Sequence, residues 1–198
     1  MRALALLCLA ALATPVLAEE AELARARKIV AGSCFLCHGM QGESATELSP
    51  RLAAQNEDYI AKQLANFRSG ERKSSATQPM VAALAPQDMR ALGAYFSRQK
   101  SEPHPTADSR LAAQGMFIYR QGGAATEAAA CIGCHGERGH GTENLPRLAG
   151  QVASYLATQL RNFGARVRTN DNAVMHTIAA RMTEGEILAV AEYLSGLE

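Results

Sequence analysis

The sequence lacks an excess of charge of either sign, and it lacks an apolar run long enough to cross a membrane. Its 198 residues contain 20 lysines and arginines against 19 aspartates and glutamates, with no basic run. Neither nucleic acid nor an anionic membrane surface is therefore indicated as a partner. The longest apolar run, residues 3–17, is shorter than the roughly 20 residues that a transmembrane helix needs. No segment shows the period-two alternation that is typical of strands.

The first eighteen residues have the composition of a secretory signal. A positively charged start, Met1-Arg2, precedes the apolar run, and small residues around Ala18 supply a cleavage point before Glu19. We predict a signal peptide over residues 1–18 and an exported mature chain that begins at Glu19. An uncleaved anchor is the alternative.

Beyond this leader, cysteine is absent except in two short motifs. Residues 34–38 read C-F-L-C-H and residues 131–135 read C-I-G-C-H. A C-x-x-C-H run is typical of covalent haem c attachment. Its two thiols can add to the two vinyl groups of a porphyrin, and the adjacent imidazole can bind the iron. The predicted attachment residues are Cys34, Cys37, Cys131 and Cys134, and the predicted iron ligands are His38 and His135.

Two other kinds of site contain the same cysteine spacing. A thioredoxin-like redox pair requires a βαβ setting, and no strand-like segment flanks either motif. Two C-x-x-C pairs can also form a four-thiolate zinc cage, but that interpretation leaves His38 and His135 without a role. Two haem c groups account for both the cysteines and the histidines.

A long internal repeat indicates that the chain is duplicated. Residues 50–72 and 146–168 are identical at twelve of twenty-three positions, and their spacing of 96 residues is close to the 97 between the motifs. A repeat that includes a complete motif is a duplicated domain rather than a short stacked unit. We predict an N-terminal domain over 19–98, an extended linker over 99–109 and a C-terminal domain over 110–198.

Each copy is predicted to be helical throughout, with three main helices. The middle helix starts near Asn56, a good N-cap residue. The last helix starts at Pro86 in one copy and after Thr183 in the other, where Glu186 completes a capping box. The predicted first helices cover about residues 20–32 and 108–120, and a Gly-rich loop over 122–130 follows the second of them.

This arrangement resembles the class I c-type cytochromes, which have a haem motif near the N-terminus, a distal methionine about forty residues later and a closing helix. Two such domains in one exported chain resemble the dihaem cytochrome c4 family. The P-R-L-A and Y-x-x-x-Q-L-x-N-F runs of both copies also match that group, and the resemblance covers the whole mature chain. It implies an all-α fold of two tandem cytochrome c-like domains, each wrapped around one covalently bound haem c.

The internal repeat helps to select the second axial ligand of each iron. Only Met80 and Met175 correspond to one another between the copies, 42 and 40 residues beyond the motif histidines. Met89 and Met182 align with residues that cannot bind iron, so we assign them to the core. Met80 and Met175 are the predicted ligands. The segment after Met80 is three residues shorter than its counterpart, which leaves a different ligand open there, and His176 is the alternative at the second iron.

The resemblance and the repeat together suggest residues around each haem. In class I cytochromes a proline carbonyl accepts the N–H of the proximal imidazole, which would orient the ring and raise its basicity; Pro50 and Pro146 stand at that position. Matched polar residues are candidates for the haem propionates through ion pairs or hydrogen bonds. They are Arg51, Arg147, Gln55, Gln151, Tyr59 and Tyr155, while Phe67 and Phe163 are predicted to line the haem pockets.

The predicted ligand set suits electron transfer, because an iron with both axial positions filled does not readily bind a substrate. Histidine–methionine ligation also raises the reduction potential. The resemblance implies a soluble periplasmic carrier in a respiratory chain, which takes electrons from a quinol-oxidising complex and passes them to a terminal oxidase or reductase. Membrane association through those partners is left open.

Two further functions fit the same cofactors. One is the cytochrome subunit of a dehydrogenase, such as a flavoprotein that oxidises sulfide. The other is a dihaem peroxidase-like or thiosulfate-oxidising enzyme, which would need an open iron.

Overall fold

A computed structural model describes residues 7–198 of the chain, with side chains from residue 17 onward. Every regular element in this range is helical and none is a strand, which confirms the predicted all-α class. The elements are α1 (Leu7–Ile29), a π-helical turn (Val30–Cys34), α2 (Phe35–His38), α3 (Glu57–Ser69), α4 (Thr77–Val81), α5 (Pro86–Ser97), α6 (Ser109–Gln121), α7 (Ile132–His135), α8 (Ala153–Gly164), α9 (Val174–Ala179) and α10 (Glu184–Ser195).

In the first half of the molecule, α5 packs against α1 and α3. Leu92 and Phe96 of α5 are almost fully buried, and they meet Ala26 of α1 and Ile60 of α3 in one apolar cluster. These residues recur every three or four positions, so each helix presents a single apolar face to the core.

In the second half, α10 packs against α6 and α8. Ile187, Val190 and Leu194 form the buried face of α10, as their spacing predicts. The crossing of α6 over α10 is unusually close, because a Cβ atom on Gly115 would lie 1.9 Å from the carbonyl oxygen of Ala189. Only glycine fits at that crossing.

The helix starts follow their local capping signals. The Thr183 hydroxyl accepts from the backbone N–H of Glu186, and the Glu186 carboxylate accepts in return from the backbone N–H of Thr183. Asp108 caps α6 through two backbone N–H groups of its first turn. Asn56 occupies the N-cap position of α3 but makes no cap bond; its side-chain amide instead donates to carbonyls in residues 140–145 of the other half.

Some element boundaries differ from the predicted ones. The first helix was expected over residues 20–32, but α1 already begins at Leu7 and continues through the π-helical turn and α2 without a break, as far as His38. The short helices α4 and α9 were not predicted. With five and six residues, they are too short to show helical periodicity in a sequence.

The predicted signal peptide lies partly outside the described residues, which begin at residue 7. Helix α1 passes through Ala18, the last residue of that segment, without interruption. Within residues 7–198, none of the helices combines the length and the apolar character that a membrane crossing requires. Cleavage after Ala18 stays a prediction.

The two halves are joined by residues 98–108, which contain no helix. This segment lies against the second half, where the backbone N–H of His104 donates to the carbonyl of Ser195 at 2.9 Å. The predicted domain limits at residues 98 and 110 stay predictions, because sequence composition alone suggests them.

Candidate functional site

Each C-x-x-C-H motif forms a single helical turn. In the first half Cys34 ends the π-helical turn and Cys37 lies on α2; in the second, Cys131 precedes α7 and Cys134 lies on it. The four thiols form no disulfide, and in each pair the second cysteine is the more exposed one. Each motif therefore presents two free thiols, three positions apart, on one helical turn.

The first cysteine of each pair is held as a neutral thiol. Burial raises the pKa of Cys34, and it raises the pKa of Cys131 to about 11. A thioredoxin-like redox cysteine has the opposite property, a pKa lowered towards neutrality that supplies a thiolate. These thiols thus lack the electrostatic activation of a thiol–disulfide catalyst.

The motif histidines are oriented by backbone carbonyls. The Nδ1 atom of His38 lies 2.9 Å from the carbonyl oxygen of Pro50, and that of His135 lies 3.2 Å from the carbonyl oxygen of Pro146. Because a carbonyl can only accept, each Nδ1 carries the proton and each Nε2 keeps a lone pair for a metal. Burial lowers the pKa of both imidazoles, although the carbonyl bonds oppose it, and the neutral form is the one that binds iron.

The chain turns sharply after each histidine. Gly39 and Gly136 have φ angles of 75° and 79°, in the left-handed region that glycine adopts without strain. The following loops return Pro50 and Pro146 to the histidine side of each motif. Both halves therefore have the same arrangement of motif histidine, glycine turn and proline carbonyl, which we call the proximal side of each site.

No group of three or more His, Cys, Asp or Glu side chains in the described part of the chain is arranged to hold a metal ion, the two cysteine pairs included. What each half presents is two thiols and one imidazole with a free nitrogen. This donor set fits a covalently attached haem.

The structure places the two predicted methionine ligands on the short helices. Met80 lies on α4, which packs on α3, and Met175 lies on α9, which packs on α8. Their exposures differ, since Met80 is 58% exposed and Met175 is half-buried. Met89 is buried in the first half, in agreement with a core role. Iron ligation by Met80 and Met175 stays a prediction.

His176, the alternative ligand at the second iron, already has protein partners. Its Nδ1 atom lies 3.0 Å from the carbonyl oxygen of Phe163, and its backbone N–H donates to the Asp171 carboxylate at 2.9 Å. These contacts tie His176 to the end of α8 and to the loop before α9.

The matched glutamines link the two halves. The Gln55 side chain pairs with the backbone of Arg147, accepting its N–H at 2.7 Å and donating to its carbonyl at 2.8 Å. Gln151 makes the same pair of bonds with the backbone of Arg51. In each contact the glutamine of one half pairs with the arginine backbone of the other half, so the two contacts correspond when the halves are interchanged. The sequence repeat alone did not reveal this pairing.

The two arginines predicted to pair with propionates have different surroundings. The buried Arg51 guanidinium donates to the carbonyl of Gly150 at 2.7 Å and to the carbonyl of Glu102, and it lies 3.1 Å from the His104 ring. Among the described residues, the Arg147 guanidinium donates only from Nε, to the carbonyl of Ala149. Arg51 therefore fastens the linker to both halves, whereas Arg147 keeps its terminal nitrogens for another acceptor.

Tyr59 and Tyr155 are hydrogen-bonded to two arginines, Arg168 and Arg72, which the sequence analysis did not single out. The Tyr59 hydroxyl accepts a hydrogen bond from Arg168, and the Tyr155 hydroxyl accepts one from Arg72. Both arginines are buried. They are the last identical pair in the 23-residue repeat, so a signal was present, but nothing in the sequence indicated that they lie beside the tyrosines of the opposite half.

The comparisons with known proteins agree with this geometry. The family model described as cytochrome c matches residues 120–198. Cytochrome c4 of Thiocapsa roseopersicina is 41% identical over 170 residues, which cover 84% of this chain and 88% of that protein. The thiosulfate dehydrogenase electron acceptor of Thiomonas intermedia is 36% identical over 170 residues, which cover 83% of this chain and 78% of that protein.

A solved structure extends the similarity to three dimensions. The crystal structure of reduced recombinant cytochrome c4 from Pseudomonas stutzeri superimposes with a TM-score of 0.82 at 35% sequence identity, covering 87% of this chain and 97% of that one. The match spans both halves, so the duplicated arrangement of two class I cytochrome domains is common to the two molecules.

Proposed function

Because this chain belongs to the cytochrome c4 family, we propose that it is a periplasmic electron carrier with two covalently bound haem c groups, one in each half. Its family supports electron transfer as its activity. In the proposed route, electrons arrive from a quinol-oxidising complex and leave to a terminal oxidase or reductase. Residues 1–18 would direct export to the periplasm and then be removed.

One observation carries the proposal: the same proximal geometry occurs twice. Haem c supplies a one-electron iron couple when it is bound. Cys34 and Cys37 would hold one group through thioethers, with His38 as its proximal ligand. Cys131, Cys134 and His135 would do the same in the second half, and in each half a proline carbonyl holds the imidazole in the metal-binding tautomer.

Met80 and Met175 are the proposed distal ligands. A thioether favours ferrous iron and raises the reduction potential. The apolar clusters that include residues of α3 and α8 would limit the access of water to a haem bound beside them. Together with His38 and His135, these methionines would leave no ligand position open to a substrate, which suits electron transfer.

A second candidate function follows from the relatives that are named as thiosulfate dehydrogenase electron acceptors. In this reading the chain receives its electrons from a thiosulfate-oxidising enzyme. This candidate changes only the electron donor. It is a form of the alternative in which the chain is the cytochrome partner of a dehydrogenase, and the named relatives favour a thiosulfate-oxidising enzyme over a flavoprotein as that partner.

The decisive experiment uses the purified holoprotein. We expect two haems per chain, one methionine–iron absorption band for each ferric haem, and two resolved one-electron steps in a redox titration. One haem per chain, or a single methionine–iron band for two haems, would contradict the proposal. Stopped-flow reduction by a quinol-oxidising complex or by a thiosulfate dehydrogenase, each with its own substrate, then distinguishes the donors.

A further inference from the structure

Two buried arginines face one another across the contact between the halves. Arg72 follows α3 and Arg168 follows α8, at equivalent positions of the repeat, and each is only 8% exposed. Their backbones are held alike, since each N–H donates at 3.0 Å to a carbonyl near the end of the preceding helix. Each guanidinium also lies over an aromatic ring, 4.5 Å from the centroid of Phe67 and 4.4 Å from that of Phe163.

Each arginine reaches into the opposite half. Arg72 donates to the Tyr155 hydroxyl at 2.8 Å, and Arg168 donates to the Tyr59 hydroxyl at 2.9 Å. Both guanidiniums donate to the same side-chain oxygen of Gln63, at 2.7 and 3.0 Å. The two positive groups are therefore close neighbours inside a single polar cluster.

This cluster contains no negative partner for the two cations. All acceptors of Arg72 and Arg168 are neutral amides and hydroxyls, and none of the ion pairs among the described side chains includes either residue. Glu71 accepts only from Asn66 at the edge of the cluster. Two buried like charges without a counter-ion repel one another and lose hydration. An anion bound in the cluster would offset both costs.

The positive field is visible at Tyr155. Burial of its hydroxyl would raise the pKa, but Arg72 and Arg168 outweigh that effect and lower it. Donor hydrogens also remain available. The Tyr59 and Tyr155 hydroxyls accept from the arginines and donate to no described residue, and Arg72 Nε has no acceptor within residues 17–198. Two cations and unused O–H and N–H donors together fit carboxylates.

We infer that Arg72, Arg168, Tyr59 and Tyr155 form one carboxylate-binding cluster shared by the two halves, which holds propionate groups of both haems. The inference depends on the proposed presence of a haem in each half. Because each arginine reaches across the contact, each contributes a positive charge to the surroundings of both irons. Arg72 and Arg168 are thus positioning residues that raise both reduction potentials, and they make the propionate contact that the sequence suggested for Arg51.

The test is a redox titration of the holoprotein and of Arg72→Gln and Arg168→Gln between pH 5 and pH 8. Arg90→Gln is the matched control, because Arg90 is exposed on α5 and its replacement changes net charge equally. In the wild type and the control, both potentials should stay constant with pH, since the paired propionates remain ionised. Each glutamine variant should lower both potentials at pH 8, which corresponds to a decrease of about tenfold in the equilibrium constant for reduction of each iron.

The pH profile separates this role from a merely structural one. Without one guanidinium the propionate pKa should rise, so both potentials of a glutamine variant should climb as the pH falls and the carboxylates become neutral. Arg72→Lys keeps the positive charge, so its two potentials should again be independent of pH, although the lysine cannot make the several hydrogen bonds of the planar guanidinium. Equal, pH-independent shifts in the lysine and glutamine variants would overturn the inference.

Two more outcomes would also overturn it. Glutamine variants that match Arg90→Gln would show that no propionate pairs with these arginines, and a shift confined to one iron in each variant would show that the cluster is not shared. Haem content and the methionine–iron bands are measured on the same samples. A wild type with fewer than two haems refutes the proposed function itself, whereas two haems with unchanged potentials refute only the arginine cluster.

Discussion

The two halves of the molecule reproduce one another on the proximal side of the proposed irons and diverge elsewhere. The contacts between histidine and proline carbonyl differ by only 0.3 Å, at 2.9 and 3.2 Å. The approach to each motif is different: α1 runs through a π-helical turn directly into residues 34–38, whereas a loop over 122–130 separates α6 from α7. Duplication thus preserved the contact between histidine and proline carbonyl and changed the segments around it.

The distal sides differ as well. Met80 is more than half exposed on a five-residue helix, whereas Met175 is half-buried on a six-residue helix that follows a longer segment. Since hydrogen bonding and solvent exposure tune the potential of an iron with a given ligand set, two sites with equal proximal sides and unequal distal sides should have different potentials. We expect the first iron, whose proposed ligand Met80 is the more exposed methionine, to have the lower potential.

The largest effect should come from removing the distal ligands. Met175→Ala should open the second iron to azide and lower its potential by about 0.1–0.3 V, a fraction of the roughly 0.8 V over which axial ligands tune haem. Met80→Ala should do the same at the first iron only. Redox titration and azide binding measure both effects, and Met116→Ala, at an exposed site on α6, is the control.

The methionine comparison can fail in an informative way. If Met80→Ala left both potentials and both methionine–iron bands unchanged, the first iron would have a different ligand, as the shorter segment after Met80 allows. If Met175→Ala did so, the assignment in the second half would be wrong.

A smaller effect is expected where helices cross. Gly115→Ala should destabilise the holoprotein by about 3 kcal/mol, the upper end for overpacking, because the new Cβ meets the backbone of α10. Gly93→Ala, at the crossing of α5 and α3, should cost about 1–3 kcal/mol, since the nearest atom, the carbonyl oxygen of Glu57, would lie at 2.5 Å.

Urea denaturation measures both changes. Gly185→Ala is the control, because its added Cβ would meet no atom within 4 Å apart from its chain neighbours and the nearby backbone of its own helix. It should change stability by less than about 0.5 kcal/mol. A Gly115 variant as stable as this control would show that α6 and α10 do not cross as closely as described.

The smallest effect concerns the start of the last helix in each half. Ala85 and Thr183 share the same backbone angles, φ −74° and ψ 160°, but only Thr183 has a hydroxyl to cap its helix. Thr183→Ala should therefore cost about 1 kcal/mol, and Ala85→Ser should gain up to about 1 kcal/mol. Opposite shifts of the urea midpoint would confirm the comparison, whereas two destabilised variants would contradict it.

Predictions from the sequence succeeded where the signal is local. The Thr183–Glu186 capping box and the buried stripe of α10 depend on residues a few positions apart, and both are present. The short helices that carry Met80 and Met175 were missed, because five or six residues contain too little periodicity to be recognised. Asn56 was correctly placed at a helix start, but its side chain bonds to the other half instead of capping α3.

The sequence by itself determined the all-α class and the duplication, and it singled out the residues that we predict to attach and ligate a haem. Helical spacing, the two C-x-x-C-H motifs and the 23-residue repeat can all be recognised without knowledge of the fold. Only the tertiary structure decided which polar side chains meet across the two halves. Gln55 and Gln151 pair with the opposite backbone, and Arg72 and Arg168 reach the opposite tyrosines. The physical reason is that these contacts join residues 83 to 109 positions apart, which approach one another only when the halves have folded and docked.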